Sequence, residues 1–505
     1  MRYVEQGINK DLVDFIRFLI TLYYMKKFVK VLSSPNMKAA AQRNMEVLPQ
    51  YQYQSVVIDD FLKSAMKGKK YFIRTYGCQG NLRDSEVIAG ILEKIGYVLT
   101  DDVMSADIIL LNTCCVRENA EKKVFGEIGS LKSLKQKNPD LIIGVCGCMV
   151  QQEHIVSTIL SKYQQVDLLF GTHNIHQLPM LIQEVLTSNQ RICNVLSNQG
   201  DIQEDLPSCR ASSFKAWVNI MYGCNKFCTY CIVPYTRGKE RSRKSIDILN
   251  EIKELKALGY KEVTLLGQNV NAYGKDIDDL SFPELLEQIA LIGIDRIRFT
   301  TSHPWDFSDE LIDVIAKYDN IMNHIQLPVQ SGDNEILRLM GRRYSREQYL
   351  TLVEKIKTKI PTASITTDII VGFPNESEEA FNNTLSLCEI VKYDSAFTFI
   401  YSPRVGTPAA KMKDNVLMET KKQRFNKLTA VIAKYELEKY KTFENKVVKV
   451  LVEGPSKKNP EILSGYTEDM KLVNFKGDIS KVGQIVNVKI TKAKTFTLEG
   501  EEVDQ

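Results

Sequence analysis

The sequence predicts an α/β protein made of an N-terminal doubly wound parallel sheet, a central partial (β/α) barrel and a small C-terminal β-barrel. Three observations lead there. Short apolar runs alternate with helical segments from Tyr71 to Leu186, further βα units follow between Lys215 and Tyr401, and beyond Lys441 the pattern switches to period-two alternation with no room for helices. The chain has 505 residues, 44% hydrophobic and 25% charged, with 27 Gly and 15 Pro. Those are ordinary globular proportions, which exclude a disordered, collagen-like or coiled-coil protein. At roughly 100–200 residues per domain the length suits about three domains. With 66 basic and 62 acidic side chains, the net charge of +4 carries no argument for nucleic acid, and any basic surface has to be local.

Residues 1–68 read as a weakly patterned N-terminal extension ending in the basic stretch Lys63–Lys70, with no assignable function. Its apolar stretch Leu12–Tyr24 is broken by Asp14 and Arg17, and no small-residue cleavage site follows. No other run approaches the roughly 18–20 apolar residues of a membrane span. The expectation is a cytoplasmic protein with no membrane partner.

The first domain, 69–187, starts with a strand at Tyr71–Thr75 and a helix at Asn81–Ile95. A strand at Ile108–Asn112 and a helix over Arg117–Gln136 follow, then buried strands at Leu141–Cys146 and Val166–Phe170. The polar stretch Thr187–Ser213 reads as a linker. The second domain, 210–440, places strands at Lys215–Met221, Glu262–Leu266, Arg296–Thr300, Asn323–Leu327, Ile365–Val371 and Ala396–Tyr401. Helices at Ser245–Leu258, Pro283–Leu291 and Glu376–Val391 lie between them. In a barrel or partial barrel the chemistry sits at the C-terminal strand ends. A long helix around Lys421–Lys441 leads into the third domain, 443–505. Its strands Val447–Glu453, Lys471–Phe475, Ile485–Ile490 and Thr495–Leu498 suggest a small antiparallel barrel of the size used for RNA binding.

Eleven cysteines, several only two to four residues apart, suit a reducing compartment and metal ligation better than a disulfide framework. Gly223-Cys224-Asn225-Lys226-Phe227-Cys228-Thr229-Tyr230-Cys231 sets three thiols in a C-x3-C-x2-C arrangement just after the first barrel strand. Three thiolates from one loop can hold three irons of a cubic 4Fe-4S cluster and leave the fourth open to a small molecule. A zinc site is the alternative. Cys78, Cys114 and Cys148 each follow a strand of the first sheet, so their thiols can converge on the edge where parallel sheets bind ligands. Cys115 lies one residue from that set and Cys146 two, so each is an alternative to the neighbouring ligand, while Cys193, Cys209 and Cys388 have no partner at ligand spacing and read as structural.

Tyr222-Gly223-Cys224 through Cys231, continued by Ile232-Val233-Pro234-Tyr235-Thr236-Arg237-Gly238, resembles the radical S-adenosylmethionine enzymes and, within them, the methylthiotransferases. The resemblance runs from about Tyr71 to about Leu498. It implies two 4Fe-4S clusters and S-adenosyl-L-methionine (AdoMet) as cofactors. Cys224, Cys228 and Cys231 would carry the catalytic cluster, whose open iron chelates AdoMet and whose reduced form cleaves it to a 5′-deoxyadenosyl radical. Cys78, Cys114 and Cys148 match the ligands of the family's auxiliary cluster, whereas Gly80 stands where the family commonly has Met and Cys115 where it usually has a small residue. Leu266-Gly267-Gln268-Asn269-Val270-Asn271 matches a loop that lies near AdoMet in related enzymes, which makes Gly267 and Gln268 candidate cofactor contacts. An ordinary βα turn is the alternative there. His324 to Gly332, Thr367 to Pro374 and Tyr401 to Ala409 also match family segments, with Val405 in place of the usual Pro.

Between Lys446 and Leu498 ten Lys face five Asp or Glu, although the acidic tail Glu499–Asp504 offsets much of that excess. The segment resembles the TRAM domain, an RNA-binding barrel. Asn112-Thr113-Cys114-Cys115-Val116-Arg117-Glu118-Asn119-Ala120-Glu121-Lys122-Lys123-Val124-Phe125-Gly126 resembles the branch that acts on isopentenylated adenosine in tRNA. The implied reaction adds a methylthio group to carbon 2 of N6-dimethylallyladenosine next to the anticodon, a base in a loop that can be splayed out. Expected partners are a tRNA anticodon stem-loop and an electron donor such as flavodoxin or ferredoxin, with the enzyme a monomer. The alternatives are threonylcarbamoyl-adenosine or a ribosomal-protein aspartate as substrate, or a non-catalytic RNA-binding iron–sulfur sensor.

Overall fold

The computed structural model describes residues 28–40, 50–53, 56–115, 118–197 and 201–503. The apolar stretch Leu12–Tyr24 and the pair Val116 and Arg117 lie outside them. The described residues fold as two compact units, divided between Cys209 and Arg210.

The first unit is built on a seven-stranded, all-parallel sheet. Its strands are β1 (Val29–Ser33), β2 (Lys70–Thr75), β3 (Val98–Leu99), β4 (Ile108–Thr113), β5 (Ile142–Gly147), β6 (Leu168–Phe170) and β7 (Arg191–Asn194), in the spatial order β1-β7-β6-β5-β4-β2-β3. Alternate side chains feed two cores. Tyr71, Ile108, Leu110 and Cys146 pack with Ile88, Ile91 and Leu92 of the helix Gln79–Ile95 and with Leu181 and Ile182 of Leu178–Ser188. Phe72, Ile109, Leu111, Ile143 and Val145 pack on the other face with Val124 and Ile128 of Glu118–Lys137 and Ile155 of Glu153–Lys162. Burial on both faces is why these strands are nearly continuous apolar runs.

Besides the two-residue β3, two longer strands of this sheet lie where the sequence reading placed none. β1 falls inside the extension and pairs parallel with β7, which falls inside the stretch read as a linker. Each contributes only a short apolar pattern flanked by polar residues, so neither registers as a strand until the other is beside it. The helix Asp60–Met66 likewise belongs to the first core, through Leu62 and Met66.

The second unit opens with β8 (Lys215–Asn219), β9 (Glu262–Leu266) and β10 (Arg296–Phe299) in one parallel sheet. β11 (His324–Gln326), β12 (Ser364–Val371) and β13 (Ser395–Ile400) form a second, and a parallel bridge between Ile297 and Ile321 joins the two. The result is a six-stranded partial barrel with one continuous core. The helix Met418–Lys441 leads to a closed barrel of β14 (Val447–Ser456), β15 (Asn459–Tyr466), β16 (Leu472–Lys476), β17 (Ile485–Ala493) and β18 (Leu498–Glu502). This barrel is mixed rather than purely antiparallel, because β16 and β18 pair parallel. The sequence reading missed β15, whose opening Asn459-Pro460 carries a turn signature, and it placed the last strand too early.

The small barrel docks on the N-terminal ends of the partial-barrel strands. Arg296 donates to the carbonyls of Tyr466 (2.9 Å) and Lys449 (3.0 Å), and Arg298 to those of Glu468 (2.7 Å) and Thr467 (2.8 Å). Lys471 pairs with Asp394 at 3.2 Å. The opposite, C-terminal ends of the strands stay clear for the cysteine loop.

Candidate active site

In the first unit β2, β4 and β5 are neighbours, with Thr75 opposite Asn112 and Asn112 opposite Cys146, so their C-terminal ends line up. Cys78, Cys114 and Cys148 follow those three ends. Cys114 and Cys148 are buried and Cys78 is exposed. Gly77 has φ +139°, and a Cβ on it would lie 2.6 Å from Cys114 Cβ, so a glycine lets the Cys78 and Cys114 loops touch. Cys78 stands at the N-cap of Gln79–Ile95, and its thiol donates to Asn81 Oδ1 at 3.4 Å. Asn81 Nδ2 reaches Asn112 Oδ1 and the Thr113 carbonyl, both at 3.2 Å, while Asn112 Nδ2 donates to the Asn81 carbonyl at 2.8 Å. Thr113 Oγ1 closes the chain on the Cys146 carbonyl at 2.5 Å. This buried network ties the three loops together, and the sequence reading missed it. Cys146 itself sits in the core, where burial pushes its thiol well above the usual range. Cys115 is also buried.

In the second unit the loop Gly223–Cys231 follows β8 and a short ribbon in which Met221–Tyr222 pairs with Arg241–Ser242. Gly223 has φ +74°, and a Cβ there would overlap the Lys239 carbonyl. Phe227, at φ +48°, turns the chain between Cys224 and Cys228. Distant segments grip the loop. The Cys224 amide donates to the Gly238 carbonyl at 3.0 Å, and the Thr229 amide to Met340 at 2.9 Å. The Thr229 carbonyl accepts from Ala409 at 2.8 Å. Cys224 and Cys228 are buried and Cys231 is half-buried. Burial, then Glu240 and the neighbouring thiols, lifts the Cys224 pKa, and burial with the Cys228 thiol pushes Cys231 up to about 12. Such thiols ionise when a metal takes the place of their protons.

Around this loop lies a polar lining at the strand ends. Asn269 donates to Glu240 Oε1 at 3.1 Å and Asp306 Oδ2 at 2.9 Å, and Lys226 and Lys275 each reach Asp306 at 2.6 Å. Burial works against the Asp306 carboxylate, yet those partners hold its pKa below the usual carboxylate range. Burial also raises Glu240. Asn269 Oδ1, Ser302 Oγ and His303 Nε2 are buried with no hydrogen-bond partner. Burial, then Arg342 and Lys226, drives His303 far below its ordinary value, so its ring is neutral. Three orphaned polar atoms beside a triple-thiol loop are a donor and acceptor set that fits AdoMet on an iron cluster. Gly267 and Gln268 have other partners: a Cβ on Gly267 would lie 2.6 Å from Met221 Cγ, and Gln268 Oε1 accepts the Gly223 amide. Those contacts brace the cysteine loop, and the next residue, Asn269, carries an open acceptor.

A separate cavity of about 420 Å³, lined by Trp305, Phe307, Tyr344 and Tyr349 among others, includes none of the cysteines. Among the described residues, no three His, Cys, Asp or Glu side chains gather on one ion-sized centre, whereas a cluster gives each thiolate its own iron. No described helix is long and apolar enough to cross a membrane.

Comparison with known proteins brings three family models onto the chain: the uncharacterized protein family UPF0004 over residues 70–171, the Radical SAM superfamily over 218–388 and the TRAM domain over 441–503. The chain is 58% identical to the tRNA-2-methylthio-N(6)-dimethylallyladenosine synthase of Geobacillus thermodenitrificans, over 98% of this chain and 94% of that protein. It is 56% identical to the synthase of Bacillus subtilis, over 95% of each. Among solved structures it resembles the radical S-adenosylmethionine methyltransferase TsrM of Kitasatospora setae with tryptophan substrate and an AdoMet analogue bound. The TM-score is 0.51 at 13% identity, over 68% of this chain and 75% of that one, a likeness of fold.

Proposed function

Since the chain belongs to the tRNA-2-methylthio-N(6)-dimethylallyladenosine synthase family, we propose that it is the transferase that adds a methylthio group to carbon 2 of N6-dimethylallyladenosine in tRNA. The observation that carries the reading is the near-full-length identity to synthases of that name, together with a triple-thiol loop whose Lys226 pairs with Asp306 next to the orphaned acceptor of Asn269. The enzyme uses AdoMet and 4Fe-4S clusters. Carbon 2 of adenine has no acidic proton and no leaving group, so acid–base side chains alone cannot activate it. When bound, the clusters and AdoMet supply the one-electron chemistry, the sulfur and the methyl group, which the protein positions.

The chain's own residues divide that work between domains at 69–187, 210–440 and 443–505. Cys224, Cys228 and Cys231 hold the AdoMet-binding cluster, in a loop kept in shape by Gly223, Gln268 and Thr229. Asn269, Ser302 and His303 offer their unused atoms to AdoMet, and the neutral His303 ring adds no charge beside the cluster. Cys78, Cys114 and Cys148 hold the second cluster on the Asn81–Asn112 network. Lysines of the TRAM barrel meet tRNA phosphates. That barrel sits at the strand end opposite the cysteine loop, so phosphate holding and base chemistry occupy opposite ends of the partial barrel. A small one-electron carrier such as flavodoxin or ferredoxin supplies electrons, and the enzyme works as a monomer in the cytoplasm. Digestion of cellular tRNA to nucleosides, with and without the gene, tests the substrate: the 2-methylthio form of dimethylallyladenosine should vanish and its precursor accumulate. Loss of a methylthiolated threonylcarbamoyl-adenosine instead, or an unchanged nucleoside profile, would overturn the assignment.

A further inference from the structure

Arg342 lies in the turn between the short helix Asn334–Leu339 and the helix Arg346–Lys359, and it is only 4% exposed. Each arm of its fork has an acceptor. Nε donates to Tyr344 Oη at 2.9 Å, Nη2 to the Pro328 carbonyl at 2.5 Å, and Nη1 to Cys228 Sγ at 3.6 Å. The Tyr344 ring lies 5.2 Å from the guanidinium, and its hydroxyl donates onward to the Val329 carbonyl at 2.9 Å. Arg342 is therefore held from three sides, and its rigid planar fork suits such a site better than a flexible ammonium would. The same turn grips the cysteine loop, since the Met340 carbonyl accepts the Thr229 amide.

The titratable groups facing this buried cation are Tyr344, Tyr230, Cys228, Cys231 and His303, none of them a carboxylate. A desolvated guanidinium without an anion is costly, and the anion the geometry offers is the Cys228 thiolate. Hydrogen bonds and positive charge at a cluster's sulfur ligands favour the state with one more electron, which carries one more negative charge.

We propose that Arg342 is a positioning residue that raises the reduction potential of the cluster held by Cys224, Cys228 and Cys231, through its N–H···S bond to Cys228. The inference rests on the reading of those three cysteines as cluster ligands. One electron passes from an external one-electron reductant to the cluster, and no bond to Arg342 is made or broken.

The test is a redox titration of the reconstituted full-length enzyme, following the electron paramagnetic resonance signal that changes on adding AdoMet, in wild type, Arg342→Gln and Arg342→Lys. At a fixed reductant potential Arg342→Gln should show about a tenfold lower ratio of reduced to oxidised cluster, equivalent to about 59 mV for one electron. Arg342→Lys, which keeps the charge but not the fork, should shift less. AdoMet cleavage by Arg342→Gln should fall with a weak reductant and recover with a stronger one, at unchanged iron content. An unmoved potential in a loaded variant, or loss of iron from both variants, would assign Arg342 a purely structural role and end the inference. Failure of the underlying reading looks different: iron would then be retained when Cys228 itself is replaced.

Discussion

The two cysteine sites reach similar donor sets by opposite routes. Cys78, Cys114 and Cys148 come from three strand ends, so that site exists only once β2, β4 and β5 are in register. Cys224, Cys228 and Cys231 come from one loop, yet the loop is shaped by Gly238, Met340 and Ala409, all outside it in sequence. The first site is non-local in its proposed ligands and in its support, since Asn81, three residues from Cys78, reaches Asn112 and Thr113 on the next strand. The second is local in its ligands and non-local in its support. Damage to a ligand and damage to its surroundings should therefore separate the two sites.

The largest expected effect comes from the ligands. Cys228→Ala should abolish both AdoMet cleavage and methylthio transfer, whereas Cys78→Ala should abolish transfer and leave cleavage measurable. Iron analysis of the anaerobically reconstituted enzyme checks the same division, with about eight irons falling to about four when Cys224, Cys228 and Cys231 are replaced together. If Cys115→Ala lost transfer while Cys114→Ala kept it, the first site would use the adjacent thiol.

A smaller effect tests the supports. Gly223→Ala would drive a Cβ into the Lys239 backbone at a positive φ, and should cost about 3 kcal/mol or more and empty the second site of iron. Gly77→Ala meets the Asn81 side chain and Cys114 Cβ, which can give way in part, so its cost should be nearer 1–3 kcal/mol and should fall on the first site. Denaturant titration alongside iron content checks both. Equal iron loss from both sites in either variant would erase the contrast.

The smallest effect concerns the TRAM barrel, at the far end of its unit from the cysteine loop. Truncation would strip Arg296 and Arg298 of their carbonyl acceptors, so point changes are cleaner. Replacing the exposed Lys489 and Lys492 by Ala should weaken tRNA binding modestly and flatten the dependence of log affinity on log salt by about one unit for each phosphate left without its lysine. Cleavage of AdoMet should not change. Binding measured by filter retention across a salt series decides it, and an unaltered slope would move the phosphate-binding lysines elsewhere.

Several features were legible before folding because they are local. The βα pattern announces the parallel sheet and partial barrel, the period-two pattern the small C-terminal barrel, and the C-x3-C-x2-C spacing three thiols on one loop, whatever the rest of the chain does. The strand ends carrying Cys78, Cys114 and Cys148 were also readable, because strand, turn and helix each leave a short-range signature. Other features required the tertiary structure. β1 and β7 each lack enough pattern to count as strands alone and become strands by pairing across the chain. The Asn81–Asn112 network, the docking of Arg296 and Arg298, and the Arg342 hydrogen bond to Cys228 join residues that no spacing rule connects. Gly267 and Gln268 show the limit most directly: the motif marks them as candidate cofactor contacts, and only the packing shows that Gln268 also accepts the Gly223 amide and that Asn269 beside it holds an open acceptor. Sequence by itself determined which chemistry the chain carries, because donor type and local period are properties of neighbouring residues. Only the tertiary structure decided what holds that chemistry in place, because a buried polar or charged group takes whichever partner the fold brings within reach.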